Sequence, residues 1–115
     1  MKIIISESKI ENLIYNFLEE NYLPDDGFEG YYAKKNPRVY IAYQNYEPIW
    51  SFHLNGAIAI PANTLKLGDL SIFKTLRGYF GNMWPPVMKK WVENHLRGVK
   101  INKIIGPDYE GIAEF

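Results

Sequence analysis

Two histidines, His53 and His95, are the side chains of this sequence whose ordinary pKa suits proton transfer near neutral pH. A general base of that kind needs an acid or a nucleophile within hydrogen-bond reach. Here the two lie on different elements, His53 in an alternating segment and His95 near the end of a helical one. A histidine at a helix C-terminus also has a structural role, because it complements the helix dipole. No nucleophile elbow, phosphate loop or zinc-binding helix occurs in the chain. Cysteine is absent, which removes thiol nucleophiles, thiolate metal sites and disulfides together. The stretch "PDDGFEG" gathers Asp25, Asp26 and Glu29, carboxylates that suit a hard cation. Their spacing is not that of an EF-hand, and an ordinary turn explains them. The residues thus define no catalytic, metal or cofactor site. Enzyme activity stands only as the alternative of an unfamiliar site at His53 or His95.

Charge offers a second chemistry. The chain is neutral overall, but its charge is unevenly placed. Residues 1–30 hold two lysines against seven acids, and residues 61–105 hold eight bases against two acids. Such asymmetry marks either a basic binding face or two ends that dock on each other. Lys89, Lys90, Arg97, Lys100 and Lys103 form the candidate nucleic-acid patch, a basic helix and strand that would meet phosphate. Tyr31, Tyr32, Tyr40, Tyr43 and Tyr46 accompany Lys34, Lys35 and Arg38 on or beside strands. Aromatics and bases on one sheet are how single-strand binders stack and neutralise their ligand. Tyrosine is also a good strand former, and no ribonucleoprotein motif is present.

The elements that must position these residues follow from periodicity. Lys2–Ile5 reads as a short strand. "SKIE" is a capping box with Ser8 as the cap, and Ile10, Leu13, Ile14, Phe17 and Leu18 continue at helical spacing to about Asn21. From Phe28 to Pro61 the period changes to two, with breaks at "NP", "NYE" and "NG". Asn55-Gly56 suits a type I′ turn. That turn would pair Leu54 with Ala57, His53 with Ile58 and Phe52 with Ala59. Trp50, Phe52 and Leu54 then share one face, while Ile49, Ser51 and His53 lie on the other beside Ile58 and Ile60. Asp69 or Ser71 caps a helix through Phe80, and Gly81-Asn82 stops it. Pro85 and Pro86 suit the first turn of a further helix that runs to Leu96 and ends at Gly98. "VKINKII" is the last strand.

These elements predict a single α+β domain over residues 1–115: an antiparallel β-meander of about four to five strands, with an N-terminal helix and a C-terminal helix pair packed on it. Residues 106–115 read as a flexible tail. In "GYFGNMWPPVMKKWVENHLRG", Trp84, Trp91 and the double proline fit the elbow of a helix pair, with the tryptophans filling the gap. The second sheet face carries apolar residues too, which makes it the expected protein interface, with His53, Ile58, Ile60 and Tyr40 as its residues.

The opening "KIIISESKIENLIYNFLEE" resembles the start of many small tailed-bacteriophage proteins, over about the first 20 residues. The resemblance implies a viral origin and assigns no role to any residue. With no signal-peptide pattern and no apolar run long enough to span a bilayer, the expected setting is the cytoplasm, that of a host cell if the protein is viral, or a virion. The function expected is that of a small non-enzymatic accessory protein with a protein partner or a second copy as its ligand, and no membrane. Nucleic-acid binding is the alternative.

Overall fold

A computed structural model of the chain describes residues 7–25, 39–54, 60–96 and 98–115. Helix α1 (Glu7–Asn21) buries Ile14 and Leu18, one turn apart, and rests Ile10 and Phe17 against the same core. Leu13, expected in that stripe, is 56% exposed, so the buried seam is narrower than the run of apolar residues. The helix begins at Glu7, which puts Ser8 inside its first turn rather than at the cap. The expected strand Lys2–Ile5 lies outside the described residues.

Strands β1 (Val39–Gln44) and β2 (Glu47–His53) form an antiparallel hairpin around Asn45 and Tyr46. Both turn residues have positive φ, 51° and 67°, as a type I′ turn demands. Ala42 faces Trp50 while Tyr43 faces Pro48, so Ile49 is the extra residue of a bulge in β2. Strand β3 (Thr64–Leu67) pairs antiparallel with β2, Phe52 facing Leu65 and His53 facing Thr64. A strand has two edges, and β1 and β3 occupy both edges of β2. Phe52, expected opposite Ala59, faces Tyr40 and Leu65 instead. The turn itself, with Ile58, falls outside the described residues.

Helix α2 (Leu70–Phe80) starts at Asp69, whose Oδ1 accepts from the Ile72 amide at 3.1 Å and from the Ser71 hydroxyl at 2.6 Å. These two bonds hold the Asp69 carboxyl below the usual range, with Ser71 the larger cause. Gly81, with φ of 61°, ends the helix and donates its amide to Arg77 O. Helix α3 (Trp84–His95) opens with Pro85 and Pro86 in its first turn. Strand β4 (Lys103–Ile105) then runs parallel to β3, and β5 (Gly111–Glu114) antiparallel to β4.

The sheet order is β1-β2-β3-β4-β5, and the β3–β4 pair makes it mixed rather than a pure antiparallel meander. A parallel neighbour needs a crossover, and the α2–α3 pair supplies it. The stretch expected as a tail carries the fifth strand. "GIAE" is too short and too poor in β-branched residues to show alternation by itself, and its order comes from β4.

One face of the sheet carries Tyr40, Ala42, Trp50, Phe52, Leu65, Leu67 and Ile104, all buried beneath the helices. Trp91 of α3 sits edge-on to Trp50, with ring centroids 5.9 Å apart, and Tyr40 stacks on Trp50 at 5.5 Å. Such pairs add about 1 kcal/mol each beyond the area they bury.

Candidate functional site

The residues expected to act together are spread over the molecule. Tyr40, placed in the expected interface, lies on the helix-covered face and is buried. Ile60 is buried as well. Tyr46, 99% exposed, occupies the tip of the β1–β2 turn, and Tyr31 and Tyr32 lie outside the described residues. The tyrosines that are described therefore do not form a stacking platform.

The basic set fares similarly. Lys89 bridges Glu93 at 2.7 Å within α3, and Lys103 bridges Glu114 at 3.5 Å across β4 and β5. Glu93 also accepts from the Ile101 amide at 2.7 Å, so it anchors the approach to β4. Lys90 and Lys100 are exposed, and Arg97 lies outside the described residues. The acidic first helix packs on α3 directly. His95 Nε2 meets Glu19 Oε1 at 2.8 Å, and the Trp91 indole N–H donates to the same oxygen at 3.3 Å. The contact between the acidic helix and the C-terminal half thus runs through Glu19, while Lys89 and Lys103 are met by acids of their own half. His95 joins an acid, but in a half-buried clamp between two helices.

His53 has a different setting, on the sheet face away from the tryptophans. Strand register puts Val39, His53, Thr64, Lys103 and Glu114 in one row, and Ile41, Ser51, Lys66, Ile105 and Gly111 in the next. Ser51 Oγ and His53 Nε2 share a hydrogen bond of 3.0 Å. His53 is only 9% exposed and Thr64 is fully buried, yet His53 Nδ1 and Thr64 Oγ1 have no hydrogen-bond partner. Burial, and then the nearby charge of Lys66, push the imidazole below its usual pKa, so it is neutral at physiological pH. The Lys66 ammonium lies 5.3 Å from the centre of the Tyr109 ring. Periodicity identified the face of His53 correctly. It gave no sign of Thr64 and Lys66, because β3 has only four residues and was not recognised as a strand.

A groove of about 480 Å³ runs between α2, the start of α3 and the last strand. Its helical wall offers Phe73, Arg77, Trp84 and Pro85, and its strand wall offers Glu110, Ile112, Glu114 and Phe115. Trp84 is buried and packs edge-on against Phe73 at 6.3 Å, while the Arg77 guanidinium covers the other ring at 5.8 Å. Phe115 is partly exposed, with the Lys89 ammonium 5.7 Å from its ring centre. The volume suits a few side chains of a ligand.

Among the described residues no group of three potential metal ligands occurs, and no helix is long and apolar enough to cross a membrane. The chain matches no protein-family model, and no curated protein or solved structure is similar to it.

Proposed function

We propose that the protein is a small non-enzymatic binding module that takes an extended peptide segment of a partner protein into the groove between α2, α3 and β5. The observation that carries this reading is a groove with Arg77 on its helical side and Glu110 on its strand side. Half-buried Phe73, packed on the enclosed Trp84 and covered by the Arg77 guanidinium, forms the helical side, and Glu110, Ile112 and Phe115 line the strand side. Opposed charges across a cleft orient a ligand and reject its reverse more than they add affinity. The fitting segment has an apolar anchor, an acidic residue toward Arg77 and a basic residue toward Glu110. β5 is the edge of the sheet, but it is short, and Ile112 is the extra residue where the β4–β5 register shifts. A short bulged edge resists strand addition. Recognition therefore rests on side chains in the groove. If the phage-like opening of the chain reflects its origin, the partner is a host or virion protein.

The test is selection from a random peptide library against the wild-type protein, with depletion on Arg77→Glu. The reading expects enriched peptides that share an acidic–apolar–basic pattern, and loss of binding on Arg77→Glu that returns when the acid in the peptide is changed to lysine. Peptides that bind both proteins equally, or no enrichment at all, would falsify it.

A further inference from the structure

We propose that the polar face of the sheet binds a small oxyanion, a carboxylate or phosphate group, held by His53, Thr64 and Lys66. This site is separate from the groove and does not depend on the function assigned to it. Its basis is a pair of orphaned groups. His53 Nδ1 and Thr64 Oγ1 are both buried and both lack a partner, and the two residues face each other across the β2–β3 pair. A buried polar group without a partner costs about 1–3 kcal/mol. A fold that needed only packing here would be better served by valine and leucine.

The chemistry of the neighbours selects the ligand. Ser51 occupies Nε2 of the imidazole. When the Ser51 hydroxyl donates that bond, the ring proton resides on Nδ1, and the orphan nitrogen becomes a donor. The Thr64 hydroxyl is free to donate as well. Lys66, which faces Ser51 across the ladder, brings a positive charge to the same surface. In the two central rows of this face the described charged residues are Lys66, Lys103 and Glu114, and Glu114 is bridged to Lys103 at the sheet margin. Two neutral donors on one face with an ammonium group, which rests over the Tyr109 ring and whose charge reaches His53, fit an anion and repel a metal ion.

The experiment is a titration of the isotope-labelled protein with sodium acetate and, separately, with sodium phosphate at neutral pH and constant ionic strength. The His53 ring and the Thr64 amide are followed by NMR. The expected result is a saturable shift of both signals with one of the anions, with a millimolar or tighter Kd. The anion that saturates distinguishes a carboxylate site from a phosphate site. Lys66→Met should weaken that binding about tenfold, the loss of one charged hydrogen bond. Thr64→Val, which keeps the shape of the side chain, should weaken it in the same direction, and Lys100→Met should leave it unchanged. Shifts that rise linearly without saturation for both anions would overturn the proposal, leaving an ordered water as the partner of the two groups. So would saturable shifts that are the same in wild type and Lys66→Met.

Discussion

The two faces of the sheet solve different problems. The face under the helices is wholly apolar, with Trp50, Phe52, Leu65, Leu67 and Ile104 in adjoining rows and Trp91 laid across them. On the opposite face His53 and Thr64 are buried as well, beside the half-buried Ser51 and Lys66. Burial alone therefore does not set composition in this protein. The first face behaves as a core, where every atom contributes to stability. The second retains polar groups that a core would discard. Substitutions on the two faces should differ in sign as well as size.

The largest effect belongs to the first face. Trp50 is fully enclosed, stacked by Tyr40 and met edge-on by Trp91, and its indole N–H donates to Tyr22 O at 3.2 Å. Trp50→Ala should remove about 3–5 kcal/mol, through the lost transfer energy and the cavity left behind. Chemical denaturation checks this. A loss below about 1 kcal/mol would mean that the tryptophans are not the centre of the core.

Gly68 sharpens the comparison at the backbone. A Cβ at this position would lie 2.5 Å from the carbonyl oxygens of Pro48 and Ile49, at the bulge where β2 receives the Gly68 amide. Neither carbonyl can rotate away without breaking the ladder. Gly68→Ala should cost about 1–3 kcal/mol, as overpacking does. Gly78, on the exposed side of α2, has open space at its Cβ. Gly78→Ala should stabilise by about 0.5–1 kcal/mol because alanine is the better helix former. Melting both variants beside wild type tests the pair, and equal effects would show that the Gly68 contact has no consequence.

These contrasts also show what the sequence could reveal. Helical spacing located α1, α2 and α3 to within a residue or two, because each hides its apolar stripe from water. The capping role of Asp69 and the stop at Gly81 were legible for the same local reason. The β1–β2 hairpin was marked by its break at "NYE", although the turn chemistry seemed stronger at Asn55-Gly56. β3 and β5 were not legible as strands. Each is four residues long, and β3 lies between two neighbours, one of which reaches it only after a two-helix crossover. The row around His53 is illegible for the same reason, since Thr64 and Lys66 come to His53 by pairing and not by proximity in the chain. The groove is illegible for a similar reason, because its second wall is a four-residue strand ordered by pairing with β4.

Acid should separate the faces further. The pKa of His53 is lowered in the folded state, by burial first and by Lys66 second, from an ordinary value of 6.5. Below that value the unfolded chain takes up a proton that the folded chain resists. Unfolding then gains free energy, and stability falls as pH drops from 6.5 toward the folded pKa. His53→Leu should flatten this part of the profile. The check is stability by urea denaturation at a series of pH values. Parallel curves for wild type and His53→Leu would mean that the imidazole is not kept neutral by its surroundings.

The smallest effect, and the most diagnostic, is expected at Thr64. Its hydroxyl is fully buried and has no partner, while its methyl group packs like that of a valine. Thr64→Val removes the orphan and keeps the volume. On a face whose only task is packing, the change should stabilise by up to about 1 kcal/mol, since a desolvated hydroxyl is exchanged for a methyl group. If the folded protein already carries an anion or an ordered water on that hydroxyl, the same substitution destabilises by a similar amount. Measuring the variant by denaturation in dialysed buffer, and again with saturating acetate or phosphate, separates these cases. A gain without anion that shrinks when the anion is added follows directly from the oxyanion site, because binding stabilises the chain that retains the hydroxyl more than the variant. A gain unchanged by either anion assigns the hydroxyl no ligand and returns this face to the ordinary rules of a core.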